Sequence, residues 1–217
     1  MKAPKVNRPD KIPFHSVEDL GVAMRTIGDD GQLHMGLLYR PDAMPSLLLH
    51  LRTHFDLRNE EPTAEYRWLQ VDLDELNRRA IVGLCELIAT SQSKVPYGFS
   101  YNGQYFEPTG NFIEPGFGNG LTCATFVMAV FRTVKIEILK TEEWTTRPED
   151  ITWQRALTAH LRKEWGPFLA DGVEKHIGDP RFRPDEVAAG ATIDARPLSL
   201  EDASNMGQAI RRQLAKG

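Results

Sequence analysis

The 217-residue sequence predicts an α+β fold, and three observations carry that prediction. Runs of period-two alternation between residues 21 and 71, broken by Gly, Asp and Pro clusters, read as antiparallel strands. A segment with a helical apolar period follows at 72–92, and a second apolar helix starts abruptly at Cys123 after a glycine-rich run. From residue 145 onward the chain carries helix-start signals and no strand-like alternation.

Taken in order, residues 1–14 hold four basic residues and three prolines without an apolar core, so they read as a mobile or loosely docked arm and not a signal peptide. Residues 21–27 and 32–40 form a hairpin across Gly28-Asp29-Asp30-Gly31. In its second strand Leu33, Met35, Leu37 and Tyr39 share one face, and His34, Gly36 and Leu38 the other. Gly36 leaves its face bare, where another element can approach closely. Residues 46–58 read as one long strand, with Leu47, Leu49, Leu51, Phe55 and Leu57 on one face and His50, Arg52, His54, Asp56 and Arg58 on the other. A short strand follows at 66–71.

The helix at 72–92 is capped by Asp72 or Asp74 and buries Leu73, Leu76, Ala80, Leu84, Leu87 and Ile88. Residues 94–121 lose all periodicity and concentrate Pro, Gly, Asn and aromatics. A loop this long is usually functional, and an Ω-loop packed on its own aromatics is the compatible alternative. The helix from Cys123 buries Phe126, Val127, Val130 and Phe131. Residues 134–139 are a strand or a helical continuation. Further helices open at Pro148, with a segment running on to His176, then at Pro184 and Ser199.

The composition, 41% hydrophobic and 26% charged, is that of an ordinary globular chain able to bury one sizeable core. The division expected is an arm (1–14), a core (15–144) and a helical extension (145–217). A net charge of -4 without a basic stripe argues against nucleic acid as a partner. No apolar run approaches the ~20 residues that stable membrane insertion needs. Two cysteines make no disulfide framework, so the expected compartment is the cytoplasm. The scattered apolar residues after 145 need cover, from the core or from a homo-oligomer contact.

The chemistry concentrates at Cys123. Thr122 is placed to cap the helix, leaving Cys123 in a first turn whose free N–H groups and dipole favour an anion. That effect, ~0.3–1 kcal/mol and up to ~2, lowers a thiol pKa of ~8.5 by roughly one unit. A strong nucleophile therefore also needs a nearby imidazole. Cys85, in mid-helix among apolar neighbours, reads as core. His50 and His54, four apart on one strand, would stand about 13 Å apart, too far to share a metal ion. No metal and no cofactor are expected. His160 and His176 have no obvious partner.

His34-Met35-Gly36 on one strand, Leu49-His50-Leu51 on the next and a helix opening on Cys123-Ala124-Thr125-Phe126-Val127 form a recognisable order. It resembles the circularly permuted papain-like group of the NlpC cell-wall peptidase superfamily, which includes relatives of lecithin:retinol acyltransferase. Pro96-Tyr97-Gly98-Phe99 is similar to the Pro-Tyr-Asp-Phe segment of permuted members, with Gly98 in place of the acid. The resemblance spans roughly residues 20–133. It implies a papain-like core of antiparallel sheet packed on helices, with Cys123 as nucleophile, His34 as base and His50 as its orienter, Asp56 being a second candidate. Tyr97, Phe99, Tyr101 and Thr122 would border the substrate. The activity expected is a cysteine hydrolase of amidase or peptidase type acting on a small peptide-like or acyl substrate through an acyl-enzyme. The alternatives are an acyltransferase or thioesterase, and a non-enzymatic binding domain that keeps the fold.

Overall fold

In the computed structural model, which describes residues 3–28, 31–42 and 44–216, five strands form one antiparallel sheet. They are β1 (Leu20–Ile27), β2 (Gln32–Tyr39), β3 (Leu47–Thr53), β4 (Asp56–Glu60) and β5 (Arg67–Gln70), ordered β4-β3-β2-β1-β5. β1 and β2 pair along their whole length, from Leu20↔Tyr39 to Ile27↔Gln32. Their turn uses the left-handed φ of Gly28 and Gly31; Asp29 and Asp30 lie outside the described residues. β2 and β3 pair only at Leu37↔Leu49, Leu38↔Leu48 and Tyr39↔Leu47. The first half of β2 therefore has no ladder on that side.

The single strand expected over 46–58 is two strands. The chain reverses at His54-Phe55, with Thr53 paired to Asp56 and Phe55 at φ 58°. Apart from Thr53, polar-apolar alternation keeps its phase across this turn, and neither residue is a usual turn former, so composition carries little signal there.

Helix α1 (Glu75–Ser91) is capped by Asp74, whose side chain accepts from the Asn77 N–H at 3.0 Å. Its buried face is Ile81, Val82, Leu84, Cys85 and Ile88, while Leu76 and Leu87 are exposed. The expected stripe thus mixed two faces: spacings of three and four from Ile81 select the one the core uses. α2 (Cys123–Thr133) lies on β2 and β3. Residues 134–139 form neither a strand nor more helix; Leu139 makes a parallel bridge to Leu198.

α3 (Pro148–Trp165), α4 (Pro167–Glu174), α5 (Pro184–Thr192) and α6 (Leu200–Leu214) complete the chain. Pro opens three of them, where its missing N–H is no loss, and the Ser199 side chain caps the fourth. α5 is buried along its whole length and packs on α2, β1, β2, β5 and α6. No described helix is long and apolar enough to cross a membrane.

The sheet is covered on both sides. Val22, Met24, Met35, Leu37, Leu49 and Leu51 face the helices. Ala23, Leu38, Leu48, Tyr66 and Trp68 face the other way, under Val17, Ile12 and Phe14 of the N-terminal segment. That segment is fastened, not loose. Asn7 and Trp68 exchange backbone bonds of 2.7 and 3.0 Å, and the Trp68 indole N–H donates to the Ile12 carbonyl. Without this cover β5 would present an open edge and a bare apolar face.

The helical third is bound by buried charge. Asp150, with no exposed surface, accepts from Arg147, Arg181 and Arg183, while Arg147 also reaches Glu186 on α5. Removing one member of a buried ionic cluster leaves the others uncompensated, which costs about 3–5 kcal/mol. The Asp150→Ala variant is expected to lose stability on that scale in urea denaturation. A loss below about 1 kcal/mol would show that the guanidinium groups find other partners.

Candidate active site

Cys123 is set in place by two glycines. The segment 96–98 lies against 119–121, with the Leu121 N–H donating to the Pro96 carbonyl at 2.9 Å. A Cβ on Gly98 would fall 2.6 Å from the Gly120 nitrogen, and one on Gly120 would fall 2.4 Å from the Pro96 oxygen. There is no room for a side chain at 98, where the resembling segment carries an acid. Thr122 then caps α2 reciprocally: its hydroxyl accepts from the Thr125 N–H at 3.2 Å, and the Thr125 hydroxyl accepts from the Thr122 N–H at 2.8 Å. Cys123 occupies the first turn, 8% exposed.

The two imidazoles come from adjacent strands. His34 Nε2 lies 2.7 Å from His50 Nδ1, and His50 Nε2 lies 3.2 Å from Glu60 Oε1. Gly36 makes the first contact possible, since a Cβ there would stand 2.5 Å from the His50 Cβ. An ionised Glu60 only accepts, so the His50 proton sits on Nε2 and its Nδ1 accepts in turn. His34 must then donate from Nε2, which leaves its Nδ1 as a free lone pair. Among the described residues Nδ1 has no hydrogen-bond partner.

Both rings project from the sheet face turned away from the bodies of α1 and α2, beside Tyr66, whose ring centroid is 6.4 Å from His34 and 6.2 Å from His50. Cys123 approaches them at the end of the sheet where β2 lacks its β3 ladder. There Cys123 and His34 border one cavity of about 50 Å³ with Tyr97, Thr122, Arg52 and Arg181. No hydrogen bond joins Cys123 to His34 among the described residues. The Tyr66 hydroxyl and the Arg25 Nε are buried without partners nearby.

Burial dominates the electrostatics. It lowers the His34 pKa to about 3, with His50, Arg25 and Arg52 adding to the effect. His50 is also lowered by burial, against the opposing pull of Glu60. The Cys123 thiol is raised by burial, while the Met35 N–H, the Arg181 charge and the N–H groups of Ala124 and Cys123 act the other way. The lowered thiol pKa expected from the helix terminus is therefore reversed. Thiol and imidazole are both held neutral.

Of the other residues singled out, Tyr97 and Thr122 border the cavity. Phe99 packs against Trp153 outside it, and Tyr101 stacks on Tyr105 beneath the Arg132 guanidinium. Asp56 is engaged by Arg52 and Arg58 and does not reach a histidine. His54 sits in the β3–β4 turn and accepts from the Tyr97 N–H at 3.2 Å. His176 does have a partner, Asp179 at 3.0 Å. Glu60, Trp153 and Arg181 are additions that no motif in the sequence singled out. Among the described residues no cluster of three or more His, Cys, Asp or Glu could hold a metal ion. Comparison with protein-family models, curated proteins and solved structures gave no match.

The buried histidines set an acid limit. Between pH 6.5 and about 3 the unfolded chain binds a proton at His34 that the native state does not, so stability is complete above pH 6.5 and falls as pH drops. From pH 6.5 to 5, where carboxylates stay ionised, His34 contributes a slope of at most ~1.4 kcal/mol per pH unit. Urea denaturation across this range should show a shallower slope for His34→Gln than for the natural protein. Equal slopes would show that His34 titrates normally in the fold.

Proposed function

We propose that this chain is a cysteine-dependent hydrolase of amidase or peptidase type, built on a permuted papain-like core. The observation that carries the reading is the hydrogen-bond chain from Glu60 through His50 to His34, ending at a cavity that Cys123 also borders.

Each group then has one task. His34 Nδ1 takes the thiol proton as the Cys123 sulfur bonds to the substrate carbonyl carbon. The imidazolium formed is stabilised through His50 by the Glu60 carboxylate, so the charge that burial disfavours at rest is supported as it develops. The Cys123 backbone N–H and the Tyr97 hydroxyl, kept protonated by burial, are donors for the oxyanion. His34 returns the proton to the leaving amine as the carbon–nitrogen bond breaks, and water then cleaves the thioester by the same steps reversed. The thiol and the attacking water supply the protons and His34 relays them, so the reading requires no cofactor.

The space available favours this over the alternatives. A cavity of about 50 Å³ beside the thiol suits a small peptide-like carbonyl group, and the adjoining groove is rimmed by Arg181, Arg183 and Arg211. Neither offers the apolar channel that an acyl chain would need. A cytoplasmic amide substrate is the matching partner class.

Alkylation by iodoacetamide near pH 7, followed by peptide mass mapping, separates enzyme from inert domain. Cys123 should react at least about tenfold faster than Cys85, whose thiol is fully buried and raised by burial without an opposing N–H. His34→Ala should slow Cys123 by about a hundredfold, the lower range for loss of a general base, and Glu60→Gln by less. Equal labelling of both thiols, or no effect of His34→Ala, would remove the nucleophile assignment.

A further inference from the structure

The cavity at Cys123 does not stand alone. A groove of about 420 Å³ adjoins it, and the two share Gln32, Leu33, Trp153, Arg181 and Pro184 as a common wall. Three guanidinium groups stand in this wall and rim, and they differ in how far they are committed. Arg211 holds Asp185 with two bonds of 3.1 Å. Arg183 holds Glu149 at 2.8 Å and Asp150 at 3.0 and 3.1 Å. Arg181 has one bond, from Nη1 to Asp150 Oδ1 at 3.3 Å, to the same oxygen that already receives two from Arg183.

Its remaining nitrogens, Nε and Nη2, have no hydrogen-bond partner among the described residues. The guanidinium carbon lies 3.6 Å from the Trp153 ring centroid, so the indole holds it over the shared wall. Trp153 is itself fixed, its N–H donating to Gln32 Oε1 at 3.0 Å. A planar cation held in this way, with two donors uncommitted, matches the fork geometry of a carboxylate. The acid nearest the rim, Glu149, is largely exposed and taken by Arg183.

We propose that Arg181 is the specificity-determining anchor for a carboxylate on the substrate, so that the site takes small anionic amides and not neutral ones. The carboxylate would sit in the groove against Arg181 and Trp153, with the reacting carbonyl in the smaller cavity beside Cys123. This rests on Cys123 being the reactive group of the site.

A matched pair of thiol reagents tests it. Iodoacetate and iodoacetamide form the same sulfur–carbon bond with loss of iodide and differ in the carboxylate. The ratio of their rates at Cys123, relative to that of N-acetylcysteine, should favour iodoacetate by about fivefold or more, as a charge-assisted contact implies. Arg181→Gln should return the ratio to that of the free thiol, the ratio cancelling the common slowing of both reagents that loss of a cation near the thiol brings, and Arg181→Lys should keep part of the preference. A natural protein without the preference, or a preference that survives Arg181→Gln, overturns the assignment. Thermal stabilisation by succinate but not by succinamide, lost in Arg181→Gln, reads the same contact without thiol chemistry. If Cys123 is inert to both reagents the nucleophile reading falls, and the succinate comparison alone then upholds or overturns the Arg181 site.

Discussion

One carboxylate with no exposed surface, Asp150, carries three guanidinium groups, and the placement of the helical third follows from it. Arg147 comes from the start of α3, and Arg181 and Arg183 from the segment leading into α5. Arg147 extends the link to Glu186, which accepts from Ser204 on α6. A charge taken out of water is held only where enough donors converge on it. That convergence fixes where the start of α3 lies and hence where Trp153 and Arg181 stand in the wall of the Cys123 cavity. The cleft is bounded on one side by the sheet and on the other by this ionic cluster.

Within the cleft, two physical effects oppose each other. The free N–H groups of the helix start favour a thiolate, and burial favours a thiol. Burial wins for the isolated groups, and it also suppresses the imidazolium of His34. The resting arrangement is thus neutral, with the proton order imposed from Glu60 inward. Such a site separates charge most readily when the transition state of a bound substrate can receive it.

Much of the architecture was legible because it is local. The hairpin of β1 and β2 is written in alternation and a Gly-Asp-Asp-Gly turn, the caps of α2 and α6 in Thr122 and Ser199, and the openings of α3 and α5 in Pro148 and Pro184. The bare position at Gly36 signalled a close approach, and His50 is what approaches. Glu60 was not legible, because the break at Phe55 lacks turn chemistry and a single strand carries the chain away from His50. The phase of α1 was misread where Leu76 and Leu87, apolar but exposed, competed with Ile81 and Cys85. Arg181 lies in an aperiodic loop, and only long-range packing tells that its partner is shared. The depth of Cys123 depends on the Gly98–Gly120 contact, across more than twenty residues of irregular chain.

The fastening of the N-terminal segment has a further consequence. Its Val6 N–H donates to the Gln213 side-chain oxygen at 3.2 Å, and the Gln213 amide donates to the Pro4 carbonyl at 2.9 Å. Residues 207 or more positions apart in sequence are therefore neighbours in space. A short bridge between them would close the backbone into a ring, which could then be reopened at another surface loop with every strand and helix where it is. Sequence order and spatial order are separable in this architecture.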